Sequence, residues 1–309
     1  METSLRSRTR TGRSSDKYKY GTGQLFNFAA NSYFDRTSRP IYALMFLLPF
    51  IIFYELGTIF INTDVLSQTQ IRVVAFVWLQ NFLEYLGFGA KLAWAAPAIA
   101  VVVILLALQI VSRTKWDFAF TDFAPMAVEC ILLAAPLIMF SLVLNSSVGQ
   151  QNDMHRFGSG GAESPAAVVY CAKVSTNNSG SGDAEKQSTL ANIVTGIGAG
   201  IYEELIFRLV LICALMVFFQ DFLQFKQLNS IILAVLISAA LFSAHHHIVF
   251  LHGQFGRSSP FNWTEFSFRT VAGVYFAILF AIRGFGITAG AHAFYDIIAT
   301  LINAIFFVR

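Results

Sequence analysis

The segment GIYEELIFR at residues 200–208, continued by an apolar run to Phe219, places three charges inside a stretch long enough to span a bilayer. A charged side chain in hydrocarbon costs at least ~2.5–3.5 kcal/mol on insertion scales, so such charges are usually paired or functional. On a helix Glu204 and Arg208 are four residues apart with the acid first, the favourable order for an ion pair. Glu203 points about 100° away from Glu204, and no cation follows it three or four residues later. The spacing predicts one neutralised carboxylate and one free carboxylate, and the free one, Glu203, is the candidate for chemistry.

The composition is that of a membrane protein. Of the 309 residues 56% are hydrophobic and 13% are charged, and the mean hydropathy is +0.60. Soluble domains carry about 25% charged residues. Several apolar runs approach the ~20 residues that cross a hydrocarbon core, and they do not alternate, which argues against a β-barrel. The sequence predicts an all-α, polytopic transmembrane helical bundle of about seven or eight spans. The small net charge of +3 gives no reason to expect nucleic acid as a partner.

The character of the chain changes several times along its length. Residues 1–39 are polar and basic, and the positive-inside rule predicts a cytoplasmic amino-terminal arm. Residues 40–144 contain the amino-terminal transmembrane helices. Residues 145–189 are rich in Ser, Gly and Asn without apolar periodicity, which predicts a flexible polar loop on the opposite side. Residues 190–309 hold the remaining spans and most of the ionisable groups that lie within spans.

The apolar runs predict seven spans. We expect them at residues 41–61, 92–111, 124–144, 191–219, 231–250, 268–282 and 285–308. Residues 70–90 are only half apolar, which favours an interfacial or re-entrant helix, and an eighth span results if this segment inserts. With seven spans, the connecting cations on the cytoplasmic side are Arg113, Lys115, Lys226 and Arg283. Their common side agrees with the positive-inside rule.

Two later spans carry histidines. His245, His246 and His247 close one of them, and because consecutive residues diverge by about 100°, at most two can face one cavity. His292 and Asp296 are four residues apart on another and share a helix face. Groups of this kind facing lipid would lack hydrogen-bond partners. We therefore expect the polar faces to turn toward a shared, water-containing pocket. The alternative is a set of unrelated interhelical hydrogen bonds.

Three motifs occur in a fixed order on these hydrophobic segments. They are Glu203-Glu204-x-x-x-Arg208, Phe242-x-x-x-His246 and His292-x-x-x-Asp296. Together they resemble the CPBP family of intramembrane proteases, which takes in type II CAAX prenyl endopeptidases and bacteriocin-processing or immunity proteins. The resemblance covers about residues 190–309. It implies an intramembrane endopeptidase with a water-filled cavity, acting on membrane-associated, prenylated or otherwise lipid-modified protein substrates that enter from the bilayer.

The resemblance also implies a role for each matched residue. Glu203 matches the general base, and His246 matches the histidine that helps it to hold the attacking water. His292 matches a group that stabilises the oxyanion of the tetrahedral intermediate. Asp296 occupies a position filled by Asn in the eukaryotic CAAX enzymes. Because an ionised Asp would repel an oxyanion, we expect it to orient His292 or to stay protonated. The supporting residues are Glu204, Arg208 and Phe242.

The register of the histidine triplet has two consequences. Since the family histidine is His246, four residues after Phe242, we expect His245 and His247 to be neighbours of the site or interface residues. By the span boundaries, His246 lies late in one helix and His292 early in another. This separates the two rings along the membrane normal unless the helices tilt or the boundaries are off by several residues.

Three interpretations compete with metal-free proteolysis. Glu203, His246 and His292 would suit a zinc ion, but an H-E-x-x-H motif is absent. We expect no metal or other cofactor, because a carboxylate and a histidine hold water without further ligands. The second interpretation is a non-proteolytic membrane scaffold or immunity protein of the same fold. The third, an ion or metal transporter, lacks an evident inverted repeat. The expected partners are membrane lipid and a protein or peptide substrate, and the sequence leaves the oligomeric state open.

Overall fold

The computed structural model describes residues 28–29, 31–60, 74–85, 87, 95–156, 182–246, 248–251, 254–257 and 263–306. The helices are α1 Tyr33–Thr37, α2 Pro40–Phe60, α3 Val74–Tyr85, α4 Ala96–Ser112, α5 Phe123–Arg156, α6 Gly182–Glu204, α7 Leu211–Val217, α8 Gln227–His245, α9 Trp263–Arg283 and α10 Phe285–Phe306. A 3-10 turn, Phe120–Asp122, precedes α5, and two π-helical segments, Leu205–Val210 and Phe218–Phe222, flank α7. The strands β1 Ile248–Leu251 and β2 Gln254–Arg257 form an antiparallel hairpin. The predicted helical transmembrane class is confirmed.

Six helical stretches in these parts of the chain are long and apolar enough to cross a membrane. They are Pro40–Phe60, Phe120–Leu144, Thr189–Phe222, Gln227–His245, Trp263–Arg283 and Phe285–Phe306. The helix α4, predicted as a span, is apolar but shorter, with 17 residues. The helix α3 has 12 residues and rises only about 18 Å, less than the ~30 Å hydrocarbon core. The chain is therefore an integral, multi-pass membrane protein, and the described helix α3 is by itself too short to cross the hydrocarbon core.

Three predicted boundaries differ from those of the structure. The helix α5 continues to Arg156 and α6 begins at Gly182, so both ends of the predicted loop 145–189 are helical. Polar residues can extend a helix that is already formed, because propagation needs no new nucleus. The middle of that loop, 157–181, lies outside the described residues. The span predicted to reach residue 250 ends at His245, because the β-branched and aromatic run that follows forms β1 and pairs with β2.

The last helix, α10, is the most buried of the six candidate spans. Of its apolar window 67% is buried inside the protein, against 28–44% for the other five candidate spans. It packs against α6, α5, α2 and α9. Two glycines of α6 allow its close approach: a Cβ on Gly200 would lie 2.6 Å from the backbone N of Ala293, and one on Gly196 would lie 2.6 Å from Cβ of Asp296. The motifs on α6 and α10 therefore lie side by side.

Basic segments that are distant in sequence meet at one end of the bundle. Three ion pairs join them: Arg36 with Asp122, Arg39 with Asp117, and Arg283 with Glu129. Arg283 also donates to the hydroxyl of Thr37. The last residues of the predicted arm, the loop after α4 and the α9–α10 turn thus share one side. The positive-inside count requires this arrangement. The cytoplasmic location of that side, and of residues 1–27, stays a prediction.

Candidate active site

The two adjacent acids close the α-helical part of α6 and are both shielded from solvent. Glu203 is 2% exposed and Glu204 is 0% exposed. They point to different neighbours, because consecutive residues on a helix diverge by about 100°. Burying two carboxylates is costly unless each has a hydrogen-bonding or charged partner. Their partners therefore define what each acid can do.

Glu204 is engaged by two cationic or cation-forming groups. Arg208 Nε lies 3.0 Å from Glu204 Oε2, which confirms the predicted ion pair. His292 Nδ1 lies 2.7 Å from Glu204 Oε1. Arg208 is itself fully buried and donates from Nη2 to the carbonyl of Gly273, 3.3 Å away. One oxygen of Glu204 is thus hydrogen-bonded to His292, and the other lies in ion-pair contact with Arg208.

Glu203 faces a histidine of α8. His245 Nε2 lies 3.5 Å from Glu203 Oε1, and the His245 side chain is almost fully buried. The other ring nitrogen, Nδ1, is hydrogen-bonded to the carbonyl of Phe242. Since a carbonyl only accepts, Nδ1 carries the hydrogen and Nε2 is the atom turned to Glu203. At 3.5 Å the two atoms lie beyond ordinary N–H···O hydrogen-bond range but close enough to share one small molecule between them.

His245, expected to be a neighbour of the site or an interface residue, lies directly against Glu203. The next residue, His246, is the C-cap of α8 and is half-buried. The ring centroids of His245 and His246 are 3.9 Å apart. A signal for His245 was present in the sequence. Ser238, Phe242 and His245 follow one another at i, i+4 and i+7, the spacing of a single buried helix face. His247 lies outside the described residues.

His292 and Asp296 lie together on α10, as their spacing predicts. His292 Nε2 is 3.7 Å from Asp296 Oδ2. The imidazole stacks on Phe276 with ring centroids 4.6 Å apart and planes 16° apart. With Glu204 at Nδ1 and Asp296 near Nε2, the ring is flanked by a carboxylate on each side. The orientation of His292 is therefore fixed by both its hydrogen-bond partner and its packing.

Phe242 is the point where the three motifs meet. Its ring centroid lies 5.4 Å from that of His245, 5.2 Å from His246 and 6.2 Å from His292. The guanidinium carbon of Arg208 lies 4.2 Å from the same centroid, within cation–π range. The histidines of α8 and α10 therefore pack on the same phenylalanine ring, although the predicted span boundaries suggested that they are separated along the membrane normal.

A metal-binding geometry exists for a different residue set from the predicted one. In the described parts of the chain, one ligand atom each from Glu203, His245 and His246 lie within 4.8 Å of one another. The zinc alternative placed His292 in the third position, whereas the cluster among the described residues has His245 there. Ligand atoms of a tetrahedral zinc site are about 3.3 Å apart at the usual bond lengths. The three residues would fit zinc after a contraction of the cluster.

A comparison with protein-family models agrees with the geometry. Residues 185–298 match the family described as type II CAAX prenyl endopeptidase Rce1-like. This part of the chain, 114 of its 309 residues, is similar to that family. No curated protein and no solved structure matched the chain. The Rce1-like region takes in all three motifs and begins in α6, so the predicted resemblance to the CPBP proteases is confirmed.

Proposed function

We propose that the protein is an intramembrane endopeptidase that hydrolyses peptide bonds of membrane-associated or lipid-modified proteins with a water activated by Glu203 and a histidine. One observation carries the proposal. Within a candidate membrane span, Glu203 lies 3.5 Å from the imidazole of His245 and is not neutralised by arginine. The adjacent acid, Glu204, is paired with Arg208. The Rce1-like match supports a protease in general. The prenylated substrate class is inferred from that family.

The proposed chemistry begins at Glu203 and His245. A water hydrogen-bonded to Glu203 Oε1 and His245 Nε2 would be held at both atoms, and Glu203 would accept its proton as the oxygen attacks the substrate carbonyl. The proton would then pass to the leaving amine, so that Glu203 returns to its starting state. His246, the predicted water-holding residue, stays in the proposal as a further polar group of the same cluster, 3.9 Å ring to ring from His245.

The tetrahedral intermediate carries a negative charge that needs a donor. His292 donates from Nδ1 to Glu204, and in its protonated form Nε2 would be free to donate as well. Asp296, 3.7 Å from Nε2, would orient the ring and balance its charge. Preorganised donors of this type contribute about 10²–10³-fold to rate. This assignment gives Asp296 a positioning role in place of the direct donor role of an amide.

The closed state of the site favours a second candidate. Glu203 is 2% and His245 is 4% exposed, so a polypeptide reaches them only after neighbouring side chains move. A non-proteolytic scaffold or immunity protein would need no such opening. The polar cluster would then serve only to bind the helices together.

A substitution series in proteoliposomes separates the two candidates. The substrate is a prenylated carboxy-terminal peptide, and cleavage is followed by mass spectrometry. We expect Glu203→Gln and His245→Ala to lose at least ~100-fold in kcat, the usual contribution of a general base. Glu55→Gln is the matched control, because Glu55 is a half-buried acid in α2 outside the motifs, and it should keep wild-type kcat. Wild-type cleavage by Glu203→Gln would refute the proposed mechanism. Full rescue of a deletion phenotype by the same variant would favour the scaffold.

A further inference from the structure

The helix changes its winding directly beside the two acids. Leu205–Val210 form a π-helical turn, and the N–H of Leu211 donates to the carbonyl of Ile206, five residues earlier. Such turns are rare and occur frequently at functional sites. A π turn inserts one residue relative to an α-helix. Side chains beyond it are therefore rotated by about 100° from the positions that an α-helix would give them.

Two neighbouring helices hold this turn through backbone and side-chain atoms. Ser238 Oγ of α8 donates to the carbonyl of Phe207, 2.7 Å away, and Ser238 is 0% exposed. Arg208, the next residue of the turn, donates to the carbonyl of Gly273 on α9. A buried carbonyl that loses its donor costs about 1–3 kcal/mol in general. The serine hydroxyl therefore supplies a donor from a neighbouring helix to a carbonyl of the π turn.

The π turn also carries an aromatic side chain, Phe207, whose ring contacts the proposed catalytic residue His245. The ring of Phe207 lies 4.7 Å from that of His245, with planes 37° apart, and 5.6 Å from Phe242. His245 is thus packed against two phenylalanines that also contact each other, and one of them, Phe207, belongs to the π turn. A rotation of the turn would remove Phe207 from the imidazole and free the ring to leave Glu203.

We propose that Ser238 is a positioning residue of the active site. By holding the Phe207 carbonyl it keeps the π turn, and through the Phe207 ring it keeps His245 beside Glu203. The inference rests on the proposed function. Ser238 acts through Phe207 and not on the substrate, so its loss should lower kcat and leave KM unchanged.

The chain offers a matched control on the same helix. Ser243 is also fully buried in α8 and donates to a backbone carbonyl, that of Phe266 on α9, at 2.9 Å. Ser238→Ala and Ser243→Ala each remove one buried hydroxyl, so we expect similar losses of thermal stability in micelles. Only Ser238→Ala should lower kcat, by about fivefold, the effect of one ordinary hydrogen bond. Ser238→Thr retains the hydroxyl and should recover most of the rate.

A second measurement does not depend on catalysis. Hydrogen–deuterium exchange of a peptide covering 205–211 should be faster in Ser238→Ala than in wild type or Ser243→Ala. Unchanged exchange in that peptide, or equal kcat losses in both alanine variants, would overturn the inference. Wild-type kcat in Ser238→Ala, combined with an inactive Glu203→Gln, would remove the positioning role and leave the proposed function intact. Wild-type cleavage by Glu203→Gln would remove the proposed function, and the exchange result would still decide whether Ser238 holds the turn.

Discussion

The substitution Gly200→Ala tests the packing that brings α6 and α10 together. The added methyl would lie 2.6 Å from Ala293 N and 2.8 Å from its Cα, whereas ordinary contact begins at 3.4 Å. Backbone atoms cannot rotate away, so α10 must shift by about 0.8 Å. The 2.7 Å contact between Glu204 and His292 would then stretch to about 3.5 Å, beyond hydrogen-bond range. Overpacking costs ~1–3 kcal/mol and loss of a hydrogen bond to a charged group ~1.5–3 kcal/mol.

Thermal unfolding in micelles and kcat of the folded fraction measure the two effects separately. Gly286→Ala is the matched control, because its methyl would lie 2.7 Å from Cα of Ala43, an equally severe clash between α10 and α2. We expect both variants to lose stability, and only Gly200→Ala to lose most of its kcat as well. Wild-type stability and activity in Gly200→Ala would refute the close approach of the two helices. Equal kcat losses in both variants would refute the link from that approach to the site.

Three further predictions concern buried ion pairs and metal dependence. Arg208→Met leaves Glu204 buried without its cation, so the free energy of unfolding should fall by about 3–5 kcal/mol. Arg208→Lys should reduce the free energy of unfolding by less. A wild-type melting temperature for Arg208→Met would contradict the buried pair. Arg283→Gln should lower the free energy of unfolding by about 1.5–3 kcal/mol, because it removes a buried, hydrogen-bonded partner of Glu129. Arg36→Gln, at a more exposed ion pair, should lower it by at most about 1 kcal/mol. Equal losses in the two variants would be inconsistent with the difference in burial. Treatment with a chelator such as 1,10-phenanthroline should leave cleavage unchanged, and loss of activity that added zinc restores would show that the carboxylate–histidine cluster works with a metal.

Features that depend on local spacing could be predicted from the sequence. The Glu204–Arg208 pair follows from a four-residue interval within one helix, and the proximity of His292 and Asp296 follows from the same rule. Most spans follow from the length of their apolar runs, since a backbone in lipid must bond within its own helix. Agreement is best where one helix alone decides the geometry.

Features that depend on contacts between helices could not be predicted in this way. The contact between Glu203 and His245 depends on how α8 is rotated against α6. The motif, which selects the histidine four residues after Phe242, does not determine that rotation. The π turn depends on a donor from another helix, Ser238, and has no residue signature of its own. Glu129 lies within a span, and its partner Arg283 comes 154 residues later in the chain, so no local spacing connects them.

A double-substitution cycle on Glu203 and His245 tests the central claim most directly, because it asks whether the two residues act on one water. The rate of peptide cleavage is measured in proteoliposomes for Glu203→Gln, His245→Ala and the combined variant. Residues that act as a unit show strongly non-additive effects. We therefore predict that the combined variant is no slower than the slower single variant. Rate losses that multiply in the combined variant, or a wild-type rate for His245→Ala, would contradict a shared catalytic site.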